Sequence, residues 1–147
     1  MYYKHTQKGY LIIYITILIL ALFIYILAEV QFEIVELIIM LIAIAVLSSF
    51  LSLHVKVDET YLKLKFGYGL FKKKFLLTDI ISAKEVKNKW YYGWGIKYWP
   101  IRNMWIYNVS GFDAVEIELK SGSVKRIGTD DPIGLADAIR QSIKKRR

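Results

Sequence analysis

The chain has 147 residues, a net charge of +8, 55% hydrophobic residues and no cysteine. Without Cys there is no disulfide framework, no thiol nucleophile and no Cys-based metal site. About 50 residues fall in two apolar runs, and the rest suffice for one small domain with its own core, which excludes a second.

The first residues, with Lys4 and Lys8, read as an N-terminal tail. The apolar runs follow, Tyr10–Ala28 and Ile34–Leu53. Each is about 19–20 residues long, and a helix needs about 20 apolar residues to cross a hydrocarbon core of about 30 Å. Neither contains Pro or Gly, and only Glu36 is charged. Apolar residues lie all round both runs, as suits helices facing lipid. The predicted elements are two membrane-spanning helices, about 10–28 and 34–53, turned into an antiparallel hairpin by a short acidic link, Glu29–Glu36. A cleaved signal peptide is the competing reading of the first run. That run exceeds a usual h-region, and Ile26-Leu27-Ala28 is a poor cleavage site. Ala43, Ala45, Ser48 and Ser49 on the second run suit a packing face, or equally a chance scatter of small residues in a lipid-facing helix. Glu36, near its start, reads as a side chain snorkelling to the surface in preference to a functional intramembrane acid.

Charge orients the runs. After His54 there are nineteen Lys and Arg against ten Asp and Glu, whereas the link carries only acids. Lys and Arg beside membrane segments stay on the cytoplasmic side. Both termini are therefore expected in the cytoplasm, at the inner membrane.

Past Ser52 the period becomes two, which argues for strands with one buried face. Leu53, Val55 and Val57 alternate with His54, Lys56 and Asp58. Beyond an Asp58-Glu59-Thr60 turn, Leu62, Leu64 and Phe66 alternate with Tyr61, Lys63 and Lys65. Gly67-Tyr68-Gly69 turns into a strand carrying Phe71, Phe75 and Leu77. In that strand Lys73 lies on the apolar face and Lys72 and Lys74 on the other. Ile80–Val86 is a shorter strand. Val115–Leu119 and Val124–Ile127 flank a Ser121-Gly122 turn. That makes six clear strands, with an irregular aromatic stretch able to hold one more. Asp131 is a good N-cap and Pro132 a good first helical residue. Leu135, Ala136, Ile139 and Ile143 give the closing helix one apolar stripe, and Lys144–Arg147 suit its negative end. The domains expected are 1–53, tail and helices, and 54–147, a small sheet or partly closed barrel capped by the helix.

Four segments carry a resemblance: Trp90-Tyr91-Tyr92-Gly93-Trp94-Gly95-Ile96, Tyr107-Asn108-Val109-Ser110-Gly111, Val115–Leu119 and Ile127-Gly128-Thr129-Asp130-Asp131-Pro132. With the preceding helices, the chain resembles the bacterial PH-like domain proteins, small membrane proteins of pleckstrin-homology type. The resemblance implies a membrane-anchored α+β chain: a transmembrane hairpin, then a PH-like β-sandwich or partly closed barrel of about seven strands with a C-terminal helix. It implies binding and assembly but no reaction. Many phosphoinositide-binding PH domains hold the headgroup with basic residues around the loop between their first two strands. Here the turn read in that place, Asp58-Glu59-Thr60, is acidic.

Candidate contact residues are Trp90, Tyr91, Tyr92, Trp94 and Trp99, with Lys72, Lys73, Lys74, Lys87 and Lys89. The aromatic stretch also holds Tyr98, Trp105 and Tyr107. Its rings suit a membrane interface, a sandwich core or a partner groove. The basic clusters suit an anionic leaflet or plain solvation. Nucleic acid is not expected as a partner, because no nucleic-acid motif is present. Catalytic, cofactor and metal sites are not expected either. His5 and His54 read as ordinary exposed side chains. Ser110 and Asp113 have no nearby His, Gly93-Trp94-Gly95 reads as a turn, and Asp130-Asp131 reads as helix capping. The function expected is non-enzymatic: presenting a basic domain at the cytoplasmic leaflet to bind lipid, another membrane protein or a second copy. The alternative is an accessory subunit of a membrane transporter or enzyme complex.

Overall fold

The computed structural model describes residues 3–145. In chain order it runs β1 (Tyr3–Lys8), α1 (Tyr10–Glu29), α2 (Ile34–Ser48), β2 (Ser52–Val57), β3 (Tyr61–Phe66), β4 (Lys72–Leu76) and β5 (Ile80–Lys87). Then come β6 (Gly95–Trp99), β7 (Met104–Asn108), β8 (Asp113–Leu119), β9 (Val124–Gly128) and α3 (Pro132–Lys144). The first sheet is an antiparallel meander, β1-β2-β3-β4, and the second has the order β5-β8-β9-β7-β6 with β7 parallel to β9. Neither sheet closes, so the partly closed barrel gives way to two open sheets that share a core.

That core follows from the alternation. Leu53, Val55, Val57, Leu62, Leu64 and Phe66 from the first sheet meet Ile80, Ala83, Val115, Ile117 and Ile127 from the second. Leu135, Ala136, Ala138 and Ile139 of α3 complete it, with α3 lying on β5 and β8. Asp131 caps α3 by accepting from the Gly134 N–H at 3.1 Å, and Pro132 takes the first turn. The capping reading of Asp131 therefore holds.

Two expectations are corrected. Residues 3–8 are not a tail. They form the edge strand β1, with Lys4 opposite Lys56 and Lys8 opposite Ser52. Its inward side chains are polar and held by hydrogen bonds: Tyr3 Oη donates to Asp131 Oδ2 at 2.9 Å, His5 Nε2 to Asp130 Oδ1 at 2.5 Å, and Gln7 Nε2 to the Ser110 carbonyl at 2.9 Å. The loop between the first two strands is consequently the whole α1–α2 segment, and Asp58-Glu59-Thr60 joins β2 to β3 instead. The second apolar run, moreover, does not stay helical to residue 53. α2 ends at Ser48, where Ser48 and Ser49 hydroxyls bond back to the carbonyls of Ala45 and Val46. Such bonds compete with the helix ladder. Leu53 is drawn into β2, opposite Phe66, and is fully buried in the core.

α1 is long and apolar enough to cross a membrane, and Thr16 is its only buried residue. α2 is apolar but has 15 residues and none buried. Glu36 is accounted for by capping: its carboxylate accepts from the Glu33 N–H at 3.3 Å while Glu33 caps the N3 backbone in return. The two helices touch each other and leave and rejoin the first sheet at one point, where the Gly9 N–H donates to the Leu51 carbonyl at 2.8 Å. The junction is tight. A Cβ on Gly9 would lie 2.8 Å from the Phe50 carbonyl oxygen, and one on Gly67, at φ +48°, 2.5 Å from that of Ser49.

Candidate interaction surface

The aromatic stretch divides by strand geometry. β7 is covered on both faces, β6 only in part, with Lys97 and Tyr98 exposed. Ile96, Trp105 and Tyr107 point to the main core, whereas Trp99, Met104 and Ile106 point outward. Outside, the short helical turn Trp90–Tyr92 folds over them, so Tyr92, Met104 and Ile106 are buried in a second small core with Trp99 and Val124 packed against it. Ring centroids lie 5.3 Å apart for Tyr92–Trp99 and 5.8 Å for Tyr91–Trp99. Trp94 is half-buried, 6.4 Å from Phe112. Of the five aromatic candidates, Trp90 is 78% exposed and Tyr91 partly so, while Tyr92 is core. The exposed remainder includes Tyr98 and Ile101.

A buried ion pair anchors this layer. Arg126 Nε donates to Glu116 Oε2 at 2.7 Å, and its guanidinium carbon sits 5.5 Å from the centre of the Tyr92 ring. Arg126 Nη1 donates to the Lys87 carbonyl at 3.5 Å and to Asn88 Oδ1 at 3.4 Å, tying down the segment that leads into Trp90. Lys84 and Arg102 approach the same carboxylate at 3.3 and 3.4 Å. Burial pushes the Glu116 carboxyl up, but the Arg126 hydrogen bond and charge, with help from Lys84 and Arg102, outweigh it and hold the group below the ordinary range.

The basic candidates separate as well. Lys87 lies 3.8 Å from Asp113, and Lys89 stands 5.6 Å from the Tyr91 ring centre. Lys73 falls on one side of β4, and its charge adds to the burial that lowers the Lys125 ammonium. Lys72 and Lys74 point the other way and join residues from the three neighbouring strands. Register places Lys4, Lys56, Lys63 and Lys74 in one row across β1-β2-β3-β4, and Thr6, His54, Lys65 and Lys72 in the next. Lys8 and Ser52 begin a third row, at the junction with the helices. All these lysines are exposed. Lys63 forms an ion pair, at 2.6 Å to Asp58. Sequence reasoning singled out Lys72 and Lys74 but missed Lys4, Lys56, Lys63 and Lys65. A signal existed: a hairpin folded at residues 58–60 sets Lys56 against Lys63 and His54 against Lys65.

His54 belongs to this face, within 2.8 Å of Thr6 Oγ1 and 3.2 Å of Ser52 Oγ. Burial lowers its imidazole, and the charges of Lys65 and Lys4 lower it further. His5 and Asp130 pair with each other in the β1–α3 contact. In the terminal cluster, Lys144 and Lys145 are exposed, and Arg146 and Arg147 lie outside the described residues. No family model, curated protein or solved structure matches the chain.

Proposed function

We propose that the chain is a non-enzymatic, membrane-anchored binding module, with α1 and α2 as a transmembrane hairpin and the two sheets with α3 as a PH-like domain at the cytoplasmic leaflet. One observation carries this reading: α1 and α2 turn Leu, Ile, Val and Tyr side chains outward along their whole length. Each large apolar side chain left in water forgoes about 1.5–3 kcal/mol, and here more than a dozen do so together, which only a lipid or protein surround offsets. Because chain departure and return coincide at Gly9 and Leu51, a crossing by α1 requires a return by α2. A 15-residue helix covers about 22 Å, less than the core of a typical bilayer, so the flanking Val30, Phe32 and Phe50 and local thinning make up the span.

The soluble part supports the PH-like reading by arrangement. A four-stranded meander, a three-stranded antiparallel set (β5-β8-β9) and a closing helix make seven strands and one helix, with the β6–β7 pair added beside β9. The acids Glu29, Glu33 and Glu36 at the far helix ends and the basic domain at the near ends favour the cytoplasmic side. Since the chain has no Cys, single cysteines report topology directly. In intact cells, Gln31→Cys is expected to react with an impermeant maleimide and Lys120→Cys only after lysis. Extraction of the full chain by alkaline carbonate, or labelling of both sites from outside, would overturn the reading.

A further inference from the structure

We infer that the outer face of the four-stranded sheet is a docking surface for the anionic phospholipid headgroups of the leaflet in which the chain is anchored. The inference rests on the membrane reading above and specifies the surface and ligand it uses.

The face is built against its own interest. Like charges directly opposite on neighbouring strands are destabilising. Yet Lys4, Lys56, Lys63 and Lys74 stand side by side across all four strands, and Lys65 and Lys72 pair in the next row. Lys63 pairs with the Asp58 carboxylate at the end of its row. An external anion relieves this repulsion.

Position selects which anion. The face starts where the helices end: Lys8 and Ser52 flank the chain's departure and return, and the Tyr68 hydroxyl in the β3–β4 turn donates to the Ala45 carbonyl of α2. Tyr68 and Leu70 in that turn are exposed beside α2, as suits the headgroup level. Successive rows on one face lie about 7 Å apart. The Lys65–Lys72 row is thus about 7 Å, and the Lys4–Lys74 row about 14 Å, from the junction. The polar zone of a leaflet is about 5–8 Å deep, and charge is felt for about 8 Å beyond it at physiological salt. Both rows are within reach.

Chemistry agrees. The cations are all Lys, point charges suited to a fluid layer of phosphates, and no Arg offers a bidentate fork for one fixed group. The face lacks an aromatic platform between its lysine rows, which single-stranded nucleic acid would require; Tyr61 lies at the far end, with Lys63 and Lys74 within 5.6 and 5.2 Å of its ring centre.

The test places the full chain, carrying Thr6→Cys with a nitroxide label, in nanodiscs of phosphatidylcholine alone or with phosphatidylglycerol. Collision of the label with a water-soluble nickel chelate is expected to drop in the anionic discs and to recover at high salt. The triple variant Lys56→Gln, Lys65→Gln, Lys74→Gln is expected to lower the docked-to-undocked ratio roughly a hundredfold, at about fivefold per lysine. Its melting temperature in detergent should hold or rise, because repulsion is removed; Lys120→Gln, outside the face, should change neither readout. Equal accessibility in both discs, or a triple variant that still responds, overturns this inference and leaves the membrane anchor standing. A chain that fails to enter either disc overturns both. Protection of the label by a single-stranded oligonucleotide in neutral discs, without an effect of phosphatidylglycerol, assigns the face to nucleic acid and overturns it too.

Discussion

Glu116 and Arg126 are each nearly enclosed, and neither is tolerable there alone. A buried charge that loses its partner costs about 3–5 kcal/mol, far more than the net worth of the intact pair. Glu116→Gln is therefore expected to lower the melting temperature in detergent by about 10–20 °C, converting at the usual rate for a domain of this size. It should also loosen the Trp90–Tyr92 turn, read as faster hydrogen exchange at Asn88–Tyr92, because Arg126 ties down the segment leading into it. Asp58 gives the pH dependence. The Lys63 hydrogen bond, joined by the Thr60 and Tyr61 N–H groups, pulls its carboxyl down to about 2 against the opposing effect of burial. A carboxyl depressed on folding stabilises the folded chain above its unfolded value and loses that contribution as pH falls through the folded one. Wild type is accordingly expected to exceed Asp58→Asn by about 1 kcal/mol at neutral pH. The gap should close between about pH 4 and pH 2, followed by urea midpoints across that range.

At the scale of elements, legibility followed the number of covered faces. β2, β3 and β8 alternate apolar and polar residues, so alternation named them; β9 does not alternate and was named by the Ser121-Gly122 turn before it, and Asp131 with Pro132 named α3. β1 is illegible for the opposite reason: its inward residues Tyr3, His5 and Gln7 are polar and bind through specific atoms that no periodicity reports. β7 is apolar on both faces because the Trp90–Tyr92 turn covers the outer one, so period two is erased there, and β6, with Lys97 and Tyr98 exposed, gives no clean alternation either. The end of α2 was hidden because Phe50, Leu51 and Leu53 continue the apolar run of an exposed helix straight into a core-facing strand. The candidate surface was half legible in the same way. Lysine alternation was visible, but the four-strand register depends on β1. Asp131 links the illegible strand to the legible helix, capping α3 and accepting from Tyr3. Asp131→Ala is expected to cost about 1–2 kcal/mol, with Asp131→Asn recovering most of it, since the amide oxygen still caps. Chemical denaturation of the two variants in parallel checks the ordering.

The whole molecule is one folded domain interrupted by an apolar helix pair, not an anchor followed by a domain. β1 and β2 are neighbours, and 43 residues intervene between Lys8 and Ser52, which sit opposite each other. A two-residue Asn-Gly turn closes such a strand pair without strain. A chain with Asn-Gly in place of residues 9–51 is thus expected to fold, dissolve without detergent and sediment as a monomer with dispersed amide resonances. It should be less stable by about 2–4 kcal/mol, because Phe50, stacked 5.2 Å from Phe71 and edge-on 5.4 Å from Phe66, goes with the helices, as does Ile12. A chain starting at residue 54 is expected to fail. It lacks β1, the fully buried Leu53 and the hydrogen bonds that Tyr3, His5 and Gln7 make to the far side of the molecule. The contrast separates two architectures. If residues 54–147 fold alone and the Asn-Gly chain does not, β1 is dispensable, and the single-point departure and return on which the proposed hairpin anchor rests loses its basis.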